Sequence, residues 1–183
     1  MKVNNGNAVS PVVGVMLMLV VVIIIAAVVS AFAGGAVSGV KKAPQATITG
    51  KFSISNGMQI IHTGGDGLAT SGINFVIRDN SLFGPNLEQK TAQILNKTLI
   101  TDSNGNALDN GTGSSVVTSF VAGDTLFISG ANATCSLLQP GVYASNSNNL
   151  CISNSANVGK TFSLEVSDNN GNLISKSDVV ISP

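Results

Sequence analysis

Few residues of this 183-residue chain could carry acid–base or metal chemistry. His62 is the only histidine, and it lies in the stretch QIIHTGGDG with Asp66 four positions later. A zinc or calcium site needs more nitrogen or carboxylate ligands at closer spacing, even with Asp79 nearby in space. We therefore expect His62 to be a structural residue at a strand end, hydrogen-bonded to a turn.

Two further stretches match binding motifs only in part. The glycines around Asp66 are not followed by a lysine or a helix, so they do not predict a phosphate-binding loop. The stretch DSNGNALDNG, residues 102–111, has the oxygen-bearing side chains of a calcium loop but lacks the glutamate that closes an EF-hand. Any serine–histidine–aspartate set would depend on His62 alone. The sequence therefore predicts that the protein is not an enzyme, with no catalytic residue, no cofactor and no metal.

The only two cysteines are Cys135 and Cys151, 16 positions apart in a region rich in serine and asparagine. An even pair in such a region is typical of a disulfide in an exported protein. The alternative is a pair of buried free thiols.

Three N-x-[ST] sequons mark candidate sites of N-glycosylation at Asn96, Asn110 and Asn132. One or two such sequons are expected by chance in a chain so rich in asparagine and serine. Together with the cysteines, they favour an exterior location for residues 45–183.

Charge is scarce, at 10% of residues, and the whole chain is formally neutral. From Gln45 onward there are six Lys/Arg and nine Asp/Glu, a net charge of −3. No basic stripe or tryptophan indicates a nucleic-acid partner. A surface made polar by Asn, Ser, Thr and Gly suits contact with copies of itself, or the carrying of sugars.

These residues follow a long apolar segment near the N-terminus. Val12 to Ala33 is broken only by Gly14 and Ser30, and its 22 residues would cover roughly 33 Å as a helix, enough for a bilayer core. Ser10-Pro11 is a typical helix start, and Gly34-Gly35 weaken the helix at its far end. We expect a leader at residues 1–8, a hydrophobic helix at 9–40 and a hinge at 41–44.

The remaining residues, 45–183, show the alternation and turns of short strands. Asn56-Gly57 predicts a hairpin turn, and Ile73, Phe75 and Ile77 alternate on one face. Residues 90–102 are compatible with a short helix or a strand, and residues 161–182 predict a closing hairpin whose inward residues are Phe162, Leu164 and Val166. Seven to nine strands predict an antiparallel β-sandwich, called the head domain below. The fold class is α+β, a long N-terminal hydrophobic helix followed by this domain.

The stretch AVSPVVGVMLMLVVVIIIAAVVSAFAGG, residues 8–35, resembles the N-terminal signature of archaeal type IV pilins. In that family a short polar leader precedes a Ser-Pro-Val start and a long uncharged helix. Three later stretches are more loosely similar to the pilin-type β domain: HTGGDGL at 62–68, FVAGDTLFIS at 120–129 and VSDNNGNLISKSDVVI at 166–181. The glutamate near the mature N-terminus of bacterial pilins is absent here.

The resemblance implies a structural subunit of a pilus-like surface filament that polymerises through its helix and serves in adhesion. Implied partners are other copies of the chain, the membrane that holds the precursor, the pilus assembly machinery and a prepilin-type peptidase. That peptidase cleaves on the N-terminal side of the helix, which places processing at Gly6, Asn7, Ala8 and Val9. The residues expected in the filament core are Pro11, Val12, Gly14, Val15, Ile24, Ala27 and Ser30.

Other functions remain open at this point. The chain could stay monomeric as a membrane-anchored pilin-like or archaellin-like surface protein. Ala31-Phe32-Ala33 also fits the small-x-small pattern of a signal peptidase site, and cleavage there would release a soluble binding domain.

Overall fold

The computed structural model describes residues 11–35, 43–83, 92–138 and 150–183. Contacts between Cα atoms divide the chain into two compact units, Met1–Lys42 and Ala43–Pro183. Each unit is described by itself.

Among its described residues, the first unit contains one helix, α1, at Pro11–Gly35. It begins at the predicted proline, which needs no intrahelical partner because it has no N–H. Its last two residues are Gly34 and Gly35, where the sequence predicts weakening. The other residues of the predicted helix, 9–10 and 36–40, lie outside the described residues, as does the expected cap Ser10.

The second unit contains nine strands and one short helix among its described residues. The strands are β1 at Ala46–Ser53, β2 at Gly57–Gly65, β3 at Leu68–Ala69, β4 at Ile73–Asp79, β5 at Gln93–Ile94, β6 at Ser119–Phe120, β7 at Thr125–Ser129, β8 at Thr161–Asp168 and β9 at Leu173–Ser182. The helix, α2, spans Cys135–Leu138. Single 3-10 turns lie at Thr70–Gly72, Lys97–Leu99 and Ser155–Asn157.

Seven strands form one large curled sheet in the order β5-β4-β8-β9-β1-β2-β7, and β3 and β6 form a small second sheet. All pairs are antiparallel except β1 with β9, which meet in parallel at Phe52 and Ser53. The α+β fold class is therefore confirmed. The core lies between one face of the curled sheet and the loops that cover that face. Each strand contributes the apolar residues of its alternating pattern to this core.

The predicted hairpins are confirmed. Residues 54–56 connect β1 to β2, and Gly57, the first residue of β2, has φ of +87°, a conformation that favours glycine. β8 and β9 form the closing hairpin. The predicted inward residues of β4 and β8 are all buried: Ile73, Phe75, Ile77, Phe162, Leu164 and Val166.

Two regions differ from a simple chain of hairpins. β6 and β7 flank a turn at residues 122–124 but do not pair with each other, since β6 pairs with β3 and β7 with β2. Residues 92–102 form the two-residue strand β5, a 3-10 turn and isolated β-bridges from Thr101 to Ala107 and Phe127.

Hydroxyl groups extend the contact between β1 and β9 beyond their short parallel pairing. Ser175 Oγ accepts from the buried Ile48 N–H at 3.0 Å, and Ser177 Oγ accepts from Gly50 N–H at 3.1 Å. These side chains replace backbone carbonyls as acceptors where the strands diverge. They allow the sheet to curl without leaving buried N–H groups unpaired.

Candidate functional site

The surface of α1 is apolar on every side. Sixteen large apolar side chains of α1 are exposed in the single chain, from 45% at Val21 to 73% at Met18. The helix contains no charged residue. The residues predicted for a filament core all lie on α1 and are all exposed: Pro11, Val12, Gly14, Val15, Ile24, Ala27 and Ser30.

Such a helix needs an apolar environment. Its 25 residues span about 38 Å, and Pro11–Ala33 is long and apolar enough to cross a membrane by length and composition. Full burial of each large apolar side chain is worth about 1.5–3 kcal/mol, so the helix as a whole gains on the order of tens of kcal/mol by leaving water. Small residues such as Gly14 and Ala27 allow another helix to approach closely.

His62 is fully buried in the head domain, where it connects three segments. Its Nε2–H donates to the Asp66 carbonyl at 3.0 Å, and its ring packs edge-on against Phe120 with centroids 5.1 Å apart. Its backbone N–H donates to Asp124 O, and its carbonyl accepts from Gly123 N–H. The predicted hydrogen bonding of His62 to a turn is therefore present.

Asp66 continues this arrangement to the point where the chain enters the head domain. Its Oδ2 accepts from Gln45 N–H at 3.0 Å, and its own N–H donates to Gln45 O at 2.8 Å. The sequence did not predict this pair of hydrogen bonds, because no pattern near Gln45 indicates a partner 21 residues away. The histidine and the aspartate together therefore hold the first residues after the N-terminal unit.

Two exposed loops with the pattern Asp-x-Asn-Gly-Asn have the same internal bonding. Asp102 Oδ1 accepts from the N–H groups of Asn104 and Asn106, both at 2.8 Å, and Oδ2 accepts from the Asn106 amide. The bond from the Asn106 side chain is the largest cause that lowers the pKa of Asp102. The calcium-like spacing of this stretch is therefore explained by a carboxylate that caps its own loop.

No group of three or more His, Cys, Asp or Glu side chains is close enough to hold a metal ion within residues 11–35, 43–83, 92–138 and 150–183. Asp168 caps its loop in the same way as Asp102, through Asn170, Asn172 and the Asn172 amide. The carboxylates of Asp102 and Asp168 thus accept hydrogen bonds from their own loops.

Cys135 and Cys151 form a disulfide with their Cα atoms 5.5 Å apart. The bridge joins α2 to the segment before β8, where Cys151 and Ile152 are buried. Closing a loop of this length contributes about 3 kcal/mol in the chain-entropy account of disulfides. Residues 139–149 of that loop lie outside the described residues.

The three sequons differ in exposure. Asn96 and Asn110 are exposed, whereas Asn132 is half-buried and precedes the cysteine-bearing helix α2. The expected processing residues Gly6, Asn7, Ala8 and Val9 lie outside the described residues.

The N-terminal part of the chain is similar to a known family. Residues 7–48 match the family model of the archaeal type IV pilin N-terminal domain. The match includes all of α1, with its uncharged apolar surface, and it suggests a pilin-like subunit of a surface filament. No curated protein matches the chain.

The pilin N-terminal match ends within β1, and the rest of the head domain lies outside it. There, two of the stretches with looser similarity to pilin β domains lie side by side. His62 of the first bonds to Gly123 and Asp124 of the second, and Asp124 Oδ2 accepts from Val121 N–H to close its turn. The two stretches therefore pack together close to Gln45, near the first residues of the head domain.

Proposed function

We propose that the protein is a structural subunit of an archaeal type IV pilus-like filament on the cell surface. Its helix α1 first anchors the precursor in the membrane and then packs with copies of itself in the filament core, and the filament serves in adhesion. The single observation that carries the proposal is the uncharged helix whose sixteen large apolar side chains are all exposed in one chain. The match of residues 7–48 to the pilin N-terminal domain supports the same conclusion.

The absence of a polar face on α1 favours burial among other helices. An amphipathic helix would pack one stripe against its own domain and keep the other in water. A helix that is apolar all round needs apolar neighbours on all sides, which both a bilayer and a bundle of identical helices provide. The proposed partners are the prepilin-type peptidase and the assembly machinery, which transfer α1 from the bilayer to the bundle of helices in the filament.

The test is a charge inside α1. Ala27→Asp introduces a carboxylate that has no partner on its own uncharged helix. Placing this carboxylate at the centre of a bilayer costs about 2.5–3.5 kcal/mol. This cost is small compared with the free energy gained by moving the apolar side chains of α1 out of water, so we expect the subunit still to insert. In a polymer the cost recurs in every subunit, and we expect electron microscopy of sheared surface material to show no filaments.

A matched control is Ala156→Asp, the same change on an exposed 3-10 turn of the head domain. We expect it to leave filaments intact, and membrane fractions should contain both variants at wild-type levels. Normal filaments built from the Ala27→Asp subunit would show that α1 is not the polymer core. If filaments are absent from wild-type cells as well, the second candidate is preferred, a membrane-anchored surface protein that stays monomeric, because α1 is long enough to span a bilayer.

A further inference from the structure

Four asparagines of the head domain are each followed directly by a glycine: Asn56, Asn104, Asn110 and Asn170. The backbone nitrogen of the following residue can attack the side-chain amide of an asparagine, and glycine hinders this attack least because it has no Cβ. All four asparagines are exposed. The local sequence therefore makes them similar, and only their surroundings in the fold distinguish them.

Asn104 and Asn170 lie in the two loops with the pattern Asp-x-Asn-Gly-Asn. Within the described part of the chain, neither of their side-chain amides has a hydrogen-bond partner. The nitrogen of the following glycine donates one hydrogen bond, to the carbonyl of the aspartate that caps its loop, at 3.1 Å from Gly105 and 3.0 Å from Gly171. Both glycines are exposed, so local opening of one bond frees the nitrogen at little cost.

Asn110 is held by its neighbours. Its Oδ1 accepts from the N–H of Thr112 at 3.0 Å and from the Thr112 hydroxyl at 2.6 Å, so the amide group is fixed and cannot turn its carbon toward the next nitrogen. The N–H of Gly111 donates to Asp109 Oδ1 at 2.7 Å, a short bond to a charged acceptor. Removing that proton would place an amide anion against a carboxylate, which opposes attack.

Asn56 is followed by a glycine that belongs to the sheet. Gly57 is buried and pairs with Ser53 of β1 and with Ser129 of β7. A Cβ added to Gly57 would stand 2.0 Å from the Ile128 carbonyl oxygen, so the backbone is tightly enclosed there. Movement of the Gly57 nitrogen toward the Asn56 side chain would therefore disrupt the pairing of three strands.

We infer that Asn104 and Asn170 deamidate spontaneously in the folded protein, whereas Asn56 and Asn110 are protected. The reaction needs only water, so it does not depend on the proposed function. Each event replaces a neutral amide with a carboxylate in a chain that is formally neutral. Older copies of the protein thereby become more negative at these two loops.

The reaction has two steps. The glycine nitrogen loses its proton to a solvent base and forms a bond with the side-chain carbon Cγ, while the bond between Cγ and Nδ2 breaks and Nδ2 takes up a proton and leaves as ammonia. Water then adds to one of the two carbonyl carbons of the resulting ring, and the bond from that carbon to the ring nitrogen breaks. Opening at Cγ gives aspartate, and opening at the backbone carbonyl gives isoaspartate.

The test is a time course of the purified full-length protein in detergent at mildly alkaline pH, with its peptides separated by chromatography and identified by mass spectrometry. We expect Asn104 and Asn170 to react at least about tenfold faster than Asn56 and Asn110, because each further hydrogen bond that must break lowers the reactive population by about threefold to tenfold. Asn104→Gln and Asn170→Gln should each abolish one modified site, since glutamine would have to close a larger ring. The matched control, Asn110→Gln, should leave both sites reactive.

The same protein denatured in urea gives the reference rate for each site. There the protecting contacts are lost, and we expect all four asparagines to react at similar rates. Reaction at Asn56 or Asn110 in the folded protein as fast as in urea would overturn the inference. So would an Asn104 or Asn170 that stays unmodified in the folded protein while it reacts in urea. Because these measurements use isolated protein, their outcome is separate from whether cells make filaments.

Discussion

At the scale of single residues, aspartates in this protein serve as loop caps. Asp168 accepts three hydrogen bonds from its own turn between β8 and β9, and Asn169 in the same turn bonds to the Ser71 carbonyl. The Asn172 side-chain bond is the largest cause that lowers the pKa of Asp168, followed by the backbone bond from Asn172. The charged form of Asp168 is therefore the form that the folded turn prefers.

Asp168→Asn should lower stability in a pH-dependent way. A folded-state pKa below the unfolded value stabilises the protein above the unfolded pKa, and this stabilisation is lost as pH falls through the folded pKa. We expect the melting temperature of the variant to lie below that of wild type at pH 7 and the two to converge in acid. Thermal unfolding of the full-length protein in detergent from pH 7 down to about pH 2 measures this. A difference that stays constant over that range would contradict it.

At the scale of elements, the meeting of β1, β8 and β9 leaves little room in the sheet. Gly50 lies in the middle of β1, where an added Cβ would stand 2.6 Å from Val179 Cγ2 and 3.0 Å from Leu164 Cδ2. Both neighbours are buried, and valine has few rotamers with which to move aside. The glycine is thus needed for close packing, independently of backbone conformation.

Gly50→Ala should therefore destabilise the head domain by about 1–3 kcal/mol, the usual cost of overpacking a core. Gly64→Ala on the neighbouring strand β2 is the matched control, since an added Cβ there has nothing within 4 Å. Denaturant unfolding of both variants in detergent decides between them. Equal stability of the two variants would mean that β1 shifts to accept the methyl group.

At the scale of the whole molecule, the two units of the chain have opposite requirements. The exposed surface of α1 needs lipid or other helices, whereas the head domain buries its own core and keeps a polar exterior. A surface subunit that contains both units keeps α1 only if processing occurs on the N-terminal side of that helix. Cleavage on the far side of α1 would instead release the head domain alone.

We expect the surface protein to begin between Gly6 and Val9, most often beside Ala8. The polar leader ends there, and Ser10-Pro11 must remain to start the helix. Intact-mass measurement and N-terminal sequencing of surface material check this. A chain that begins at Gly34 would support the secreted soluble domain, and one that retains Met1 would contradict processing altogether.

The sequence by itself determined the features that depend on near neighbours. That Pro11–Gly35 is one helix follows from an apolar run between a proline and two glycines. The β1–β2 and β8–β9 hairpins follow from alternation around Asn-Gly turns, because their partners are adjacent along the chain. The pilin-like character of the N-terminus follows from the same run, as the match of residues 7–48 shows.

Only the tertiary structure decided which distant residues meet. The separate partners of β6 and β7, the serine hydroxyls between β1 and β9 and the bond between Asp66 and Gln45 join residues that no local pattern connects. Such contacts depend on how the curled sheet folds around its core. The free energy that favours this arrangement over others comes from many side chains packed together, so no single local pattern predicts it.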